Sequence, residues 1–238
     1  MRARFGAHRI LVHYPYQKGI VVGQGIPSGM VEIMPHPTVT PPARNSVSRE
    51  RPDRRPLHLG CTGFVNVNYD YELLFETLLA IDEPWQFTWI GGIRREEDRA
   101  LLERLERTVR ERRWEDRFQI TGWMSDDEQM DRLADIDVYL ALFANRSTSG
   151  SLLMALSQAR CIIATHLPLT GDLNAGDRVM LVVNRTQDDV VSAIRRVRAD
   201  AALREELGAH ALAYAQNHTY ARMAQHTRDA YSAILENS

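Results

Sequence analysis

The residues best suited to chemistry lie in one short cluster, Asn145 to Ser151, reading NRSTSGS. Asn145, Ser147, Thr148 and Ser149 are helix-capping types, because their side-chain oxygens accept N–H groups that a first helical turn leaves unbonded. Gly150 and Ser151 keep the turn small enough for a ligand to approach the backbone. Leu152, Leu153 and Leu156 then supply an apolar helix face. Free N–H groups and the positive end of a helix dipole would face the same point. The chemistry such a turn supports is anion binding, phosphate above all. Arg146 stands beside it as a cation able to grip phosphate oxygens with two N–H groups. A well-capped helix with no ligand explains the same residue types.

An alternation of strands and helices must position this turn. LHLGCTGF (57–64) reads as a strand ending in two close glycines, which suit a tight turn and close approach to a ligand. A helix at Tyr71–Ile81 follows, then a strand at Gln86–Ile90 closed by Gly91-Gly92 and a charged helix at Glu96–Arg113. Phe118–Ile120 is a strand that exits through Gly122, Trp123 and Met124, and Ser125 caps a helix at Asp126–Asp135. Ile136–Phe143 is a strand that runs into the Asn145 turn. Cys161–Ala164 and Val179–Val183 are further strands, and Asp188–Ala199, Ala201–Gln216 and Tyr220–Leu235 are helices. The pattern predicts an α/β fold, a doubly wound, Rossmann-like parallel sheet whose ligands bind outside the strands' carboxyl ends at the switch point. Residues 1–37 hold one strand–helix–strand unit, too small to bury both faces alone. A proline- and arginine-rich linker at 38–56, including RERPDRRP, leads to the main domain at 57–238.

Composition narrows the function. A net charge of −2 over 238 residues argues against nucleic acid or a membrane surface as general partner, and no apolar run is long enough for a membrane span. Cys61 and Cys161 lack C-x-x-C spacing, which argues for reduced, buried thiols, a cytoplasmic setting and no zinc site. The N-terminus lacks the apolar core of a signal peptide. Lys18 is the only lysine, so a Walker-type phosphate loop is excluded.

Taken together, VEIMPHP (31–37), LGCTGFVNVNYDYELLFETL, FQITGWMSDDEQMDRLADIDVYLAL, RSTSGSLLMALSQARCIIAT and AALREELGAHALAYAQNHTYARMAQHTRDAY resemble a known pattern. In order and spacing they are similar to the C-terminal, donor-binding half of a two-domain (GT-B type) glycosyltransferase of the retaining family 4. The resemblance implies sugar transfer from a nucleoside diphosphate sugar to a glycan or lipid-linked acceptor, with no cofactor and no metal. It places the donor diphosphate at Gly63, Asn66, Arg146, Ser147, Thr148, Ser149, Gly150 and Ser151, and the nucleobase along Gly122, Trp123 and Met124. It makes residues 1–37 the remnant of an N-terminal acceptor domain, and it implies that the last helix crosses back to that unit.

The departures bear on catalysis. No Asp or Glu lies between Asp137 and Asp172, where the family carries two glutamates. Ser147 stands at the first position, and Met154 or Ala155 at the second. Asn66 and Tyr69 replace the arginine and lysine that neutralise the leaving diphosphate, so Arg146, or Arg94 and Arg95, would have to substitute. Catalytic residues are therefore not assigned. Three functions stay open: a glycosyltransferase, a degenerate nucleotide-sugar-binding subunit completed by a protein partner that supplies the acceptor domain, or a related GT-B enzyme such as a sugar-nucleotide epimerase, which the missing acidic residues and domain disfavour. Asp172 sits near the family's usual second acidic position after the fifth strand, though capping the backbone from Leu173 onward explains it as well, and His36 is expected to bond backbone at a strand end.

Overall fold

The computed structural model describes residues 8–39 and 55–236; most of the expected linker, residues 40–54, lies outside the described residues. A strand β1 (Ile10–Val12), helix α1 (Pro15–Gly23) and strand β2 (Val31–Ile33) make the N-terminal unit, with β1 and β2 paired in parallel. The main unit runs β3 (Leu57–Thr62), α2 (Tyr71–Ala80), β4 (Trp85–Ile90), α3 (Arg99–Glu111), β5 (Phe118–Ile120), α4 (Asp126–Ala134) and β6 (Val138–Ala141). It continues with α5 (Gly150–Ser157), β7 (Cys161–Thr165), α6 (Pro168–Leu173), β8 (Leu181–Val183), α7 (Gln187–Ala199), α8 (Ala201–Asn217) and α9 (Tyr220–Glu236).

The six strands form one parallel sheet in the order β5-β4-β3-β6-β7-β8. The chain winds outward from β3 in one direction and from β6 in the other, so right-handed crossovers place helices on both faces. Helix α2 packs on α7, and α5 packs on α8. Covered on both sides, β6 and β7 are buried along their whole length, which is why their sequences run apolar rather than alternating. This is the doubly wound fold that the sequence predicts.

Local chemistry sets the element ends. Ser125 and Glu128 form a reciprocal capping box at α4, and the Ser125 hydrogen bonds hold the Glu128 carboxyl below its ordinary range. Gly60 departs from its expected place in a turn. It lies inside β3, where a Cβ would come within 2.2 Å of Ile136 Cδ1 and 2.8 Å of the Thr88 carbonyl oxygen. Its role is to admit the Ile136 side chain against the sheet.

Several contacts fasten the N-terminal unit to the rest of the chain. Thr38, expected at the start of the linker, is fully buried; its N–H donates to the His218 carbonyl at 2.7 Å and its hydroxyl to the Ala215 carbonyl at 2.7 Å. On α9, the Thr227 hydroxyl reaches Met34 Sδ at 3.4 Å. The Asp172 carboxylate accepts the Tyr16 N–H at 2.8 Å, so it caps α1 across the molecule rather than the backbone that follows it. Asp172→Ala should lower stability by about 1–2 kcal/mol, as loss of a helix cap does; an unchanged urea midpoint would contradict that role. The α1 helix buries none of its residues, and Leu11, Ile20 and Ile33 are exposed. No helix among the described residues is long and apolar enough to cross a membrane.

Candidate functional site

Strand order reverses between β3 and β6, and the loops leaving these two strands flank the switch point. They are tied together by the Asp70 N–H to the Leu142 carbonyl at 2.8 Å and the Ala144 N–H to the Asn68 carbonyl at 2.9 Å. Gly63, directly after β3, has φ +117°, and a Cβ there would sit 3.4 Å from Ser151 Oγ. The β3 loop therefore lies with its bare backbone against the first turn of α5.

Of the capping candidates in the NRSTSGS turn, Ser149 is the cap. Its Oγ accepts the Leu152 N–H at 3.2 Å and sits 3.0 Å from Ser151 Oγ, and the residue is buried. The N–H groups of Gly150 and Ser151 open the helix, and none of the described residues accepts them. Below them Tyr139 is fully buried, with its hydroxyl 3.4 Å from both the N and the O of Thr62. Burial pushes this phenol up, so it stays neutral.

Arg146 completes the arrangement. Its guanidinium carbon lies 5.3 Å from the centre of the Phe143 ring, and it is close enough to Tyr71 and Tyr139 to stabilise their phenolates. Its Nε is shielded from solvent and has no hydrogen-bond partner, and no carboxylate pairs with it among the described residues. By contrast Arg185, one loop away, pairs with Asp70 at 2.8 Å. An unpaired guanidinium on the same turn as unbonded helix N–H groups makes that turn electropositive. What it can do chemically is hold an anion.

The structure brings Gly63, Ser149, Gly150 and Ser151 together, with Arg146 on the same turn. Asn66 is turned elsewhere: its Oδ1 accepts the Asn68 N–H at 3.0 Å and its Nδ2 donates to the Phe64 carbonyl at 3.1 Å, so the side chain braces its own loop. Ser147 is exposed and offers its carbonyl to α1. Arg94 extends over the Phe64 ring at 5.6 Å, next to Gly63. The expected nucleobase loop joins the site through backbone. A Cβ on Gly91 would fall 2.3 Å from the Gly63 carbonyl oxygen, and one on Gly92 3.2 Å from Gly122 Cα. Gly63, Gly91, Gly92 and Gly122 thus make a continuous ledge along the carboxyl ends of β3, β4 and β5. Trp123 stands on it 78% exposed, while Met124 packs on the core. His36 bonds the Pro37 carbonyl, as expected for a strand end; burial lowers its affinity for a proton, the Pro37 bond opposes that, and neighbouring His13 adds to it.

Sequence reasoning missed Gln129, which bridges the Thr62 hydroxyl at 3.1 Å and the Met124 carbonyl at 3.1 Å. A lone glutamine on a polar helix face carries no signal that it reaches a loop.

The family described as glycosyl transferases group 1 matches residues 56–200, and the chain belongs to it. No curated protein matches the chain in sequence. Among solved structures, it is similar to HepE from Anabaena in complex with UDP and glucose (TM-score 0.79, 11% identity, 95% of this chain and 63% of that one). A glycosyltransferase from Rickettsia africae is also similar (TM-score 0.81, 13% identity, 97% and 64%). So is the sucrose-phosphate synthase of Thermosynechococcus elongatus (TM-score 0.79, 18% identity, 96% and 58%). About 95% of the chain has the fold of a C-terminal-like half of GT-B glycosyltransferases, and the chain spans less than two thirds of the length of each of these proteins.

Proposed function

We propose that this chain binds a nucleoside diphosphate sugar at the α5 turn and acts as the donor half of a retaining, family 4 glycosyltransferase. The acceptor would be a glycan or lipid-linked sugar of polysaccharide biosynthesis, and the setting cytoplasmic. The observation that carries the reading is the unpartnered Arg146 guanidinium beside the free Gly150 and Ser151 N–H groups. Departure of a diphosphate builds negative charge on its oxygens. Fixed N–H groups and a guanidinium aimed at that charge stabilise it without a metal. Arg146, with Arg94 beside Gly63, takes the place of the cations that the resemblance leads one to expect.

A second reading has its own support. Leu11, Ile20 and Ile33 are exposed on an N-terminal unit that has two strands among the described residues, a surface suited to a partner chain that supplies the acceptor domain. The chain would then be a degenerate, non-enzymatic nucleotide-sugar-binding subunit completed by that partner.

Both readings require donor binding, and calorimetric titration with UDP, GDP, ADP and dTDP tests it. One nucleotide should bind, and Ser149→Asp should weaken it about tenfold, because aspartate keeps the cap but sets a negative charge against the diphosphate. Binding of none of the four would overturn both readings. Sugar release from the matching nucleotide sugar by the chain alone would favour the enzyme over the subunit.

A further inference from the structure

The N-terminal unit touches the α5 turn through two side chains with a common acceptor. The Tyr16 hydroxyl donates to the Ser147 carbonyl oxygen at 2.6 Å, and Gln17 Nε2 donates to the same oxygen at 3.2 Å. Both donors are held in place. Gln17 Oε1 accepts the His13 N–H at 2.9 Å, and Asp172 holds the Tyr16 N–H. The Tyr16 ring stacks on Tyr14 at 6.1 Å, and Tyr14 is buried in the main core.

A trans peptide is planar, with its C=O and N–H pointing in opposite directions. Fixing the Ser147 carbonyl toward α1 therefore turns the Thr148 N–H away from α1, and none of the described residues accepts it. Were this peptide to flip, a carbonyl dipole of the wrong sign would replace the N–H.

We propose that Tyr16 and Gln17 are positioning residues for the donor site. By holding the Ser147 carbonyl, they orient the Ser147–Thr148 peptide so that its N–H joins those of Gly150 and Ser151 on the diphosphate. This rests on the reading of the α5 turn as the diphosphate site. It gives the N-terminal unit a part in donor binding that does not depend on an acceptor.

The test uses the full chain, the four nucleoside diphosphates above, and the variants Tyr16→Phe, Gln17→Leu and their combination. Either donor alone can hold the carbonyl, so each single variant should bind within about threefold of the parent and the double about tenfold more weakly, a non-additive loss. In the parent, the Thr148 amide resonance should move on nucleotide binding as its N–H takes up a phosphate oxygen. In the double variant that movement should be lost. A merely structural role would give additive losses and leave the Thr148 response intact in the bound fraction. Should the double variant not fold, the Thr148 resonance of the parent decides alone. A parent that binds while Thr148 does not respond, or a double variant that binds within about threefold, overturns this inference and leaves the donor site standing. A parent that binds none of the four nucleotides overturns both.

Discussion

Replacing Arg146 by methionine should weaken nucleoside diphosphate binding about a hundredfold, the loss of a charge-assisted contact of roughly 2–3 kcal/mol. Methionine keeps an unbranched stem and removes the guanidinium, whose carbon lies 5.3 Å from the centre of the Phe143 ring. Arg146→Lys should recover part of the loss, since an ammonium restores the charge but not the two-pronged grip. The same substitution should not harm the fold. The Arg146 Nε is shielded and has no hydrogen-bond partner, a polar group left unpaired, and methionine removes that penalty. Binding that falls while the urea midpoint holds or rises is the signature of a side chain kept for a ligand. A midpoint that falls with binding unchanged would make Arg146 a packing residue, and the donor site would then rest on helix N–H groups alone.

The second large effect is expected at Gly91. This residue has φ +134°, where an L side chain is strained, and its Cβ would meet the Gly63 carbonyl oxygen at 2.3 Å. That oxygen is already held by Trp89 Nε1 at 2.9 Å, and Gly63 N–H is bound to the Ile90 carbonyl at 2.9 Å. Backbone tied from both sides cannot give way cheaply. Strain and overpacking together should make Gly91→Ala destabilising by about 3 kcal/mol, and the displaced Gly63 should weaken nucleotide binding as well. Gly122→Ala is the control. Its φ is also positive, at +76°, but a Cβ there meets nothing within 4 Å, so the loss should be about 1 kcal/mol. Equal urea midpoints for the two variants would show that the ledge is not close-packed.

Which parts of this were legible without coordinates follows from how far each interaction reaches along the chain. The strands and helices were readable from apolar runs and caps, because both are local. Ser125 with Glu128 and Ser149 with Leu152 are contacts across three positions, and the residue types announce them. The short helix at Pro168–Leu173 escaped, because its one turn has no periodicity to read. Asn66 was legible as a loop residue but not in its orientation, since an amide can serve a ligand or its own Asx turn equally well. The role of Asp172 is not legible in sequence, because its partner, Tyr16, is 156 positions away.

Residue types and their local spacing are enough to define the α/β class, the strand ends at which glycines collect, and the turn at Asn145–Ser151 that opens α5. Those rest on hydrophobic periodicity, capping and the conformational freedom of glycine, all properties of a residue and its near neighbours. It takes the folded chain to show that Gly63 lies against Ser151, that Gly91 supports Gly63, that no carboxylate among the described residues pairs with Arg146, and that Tyr16 and Gln17 grasp the Ser147 carbonyl. Each of these depends on strand order and on the docking of the N-terminal unit. Strand order arises from the packing of the whole sheet, and no local pattern encodes which loop will meet which.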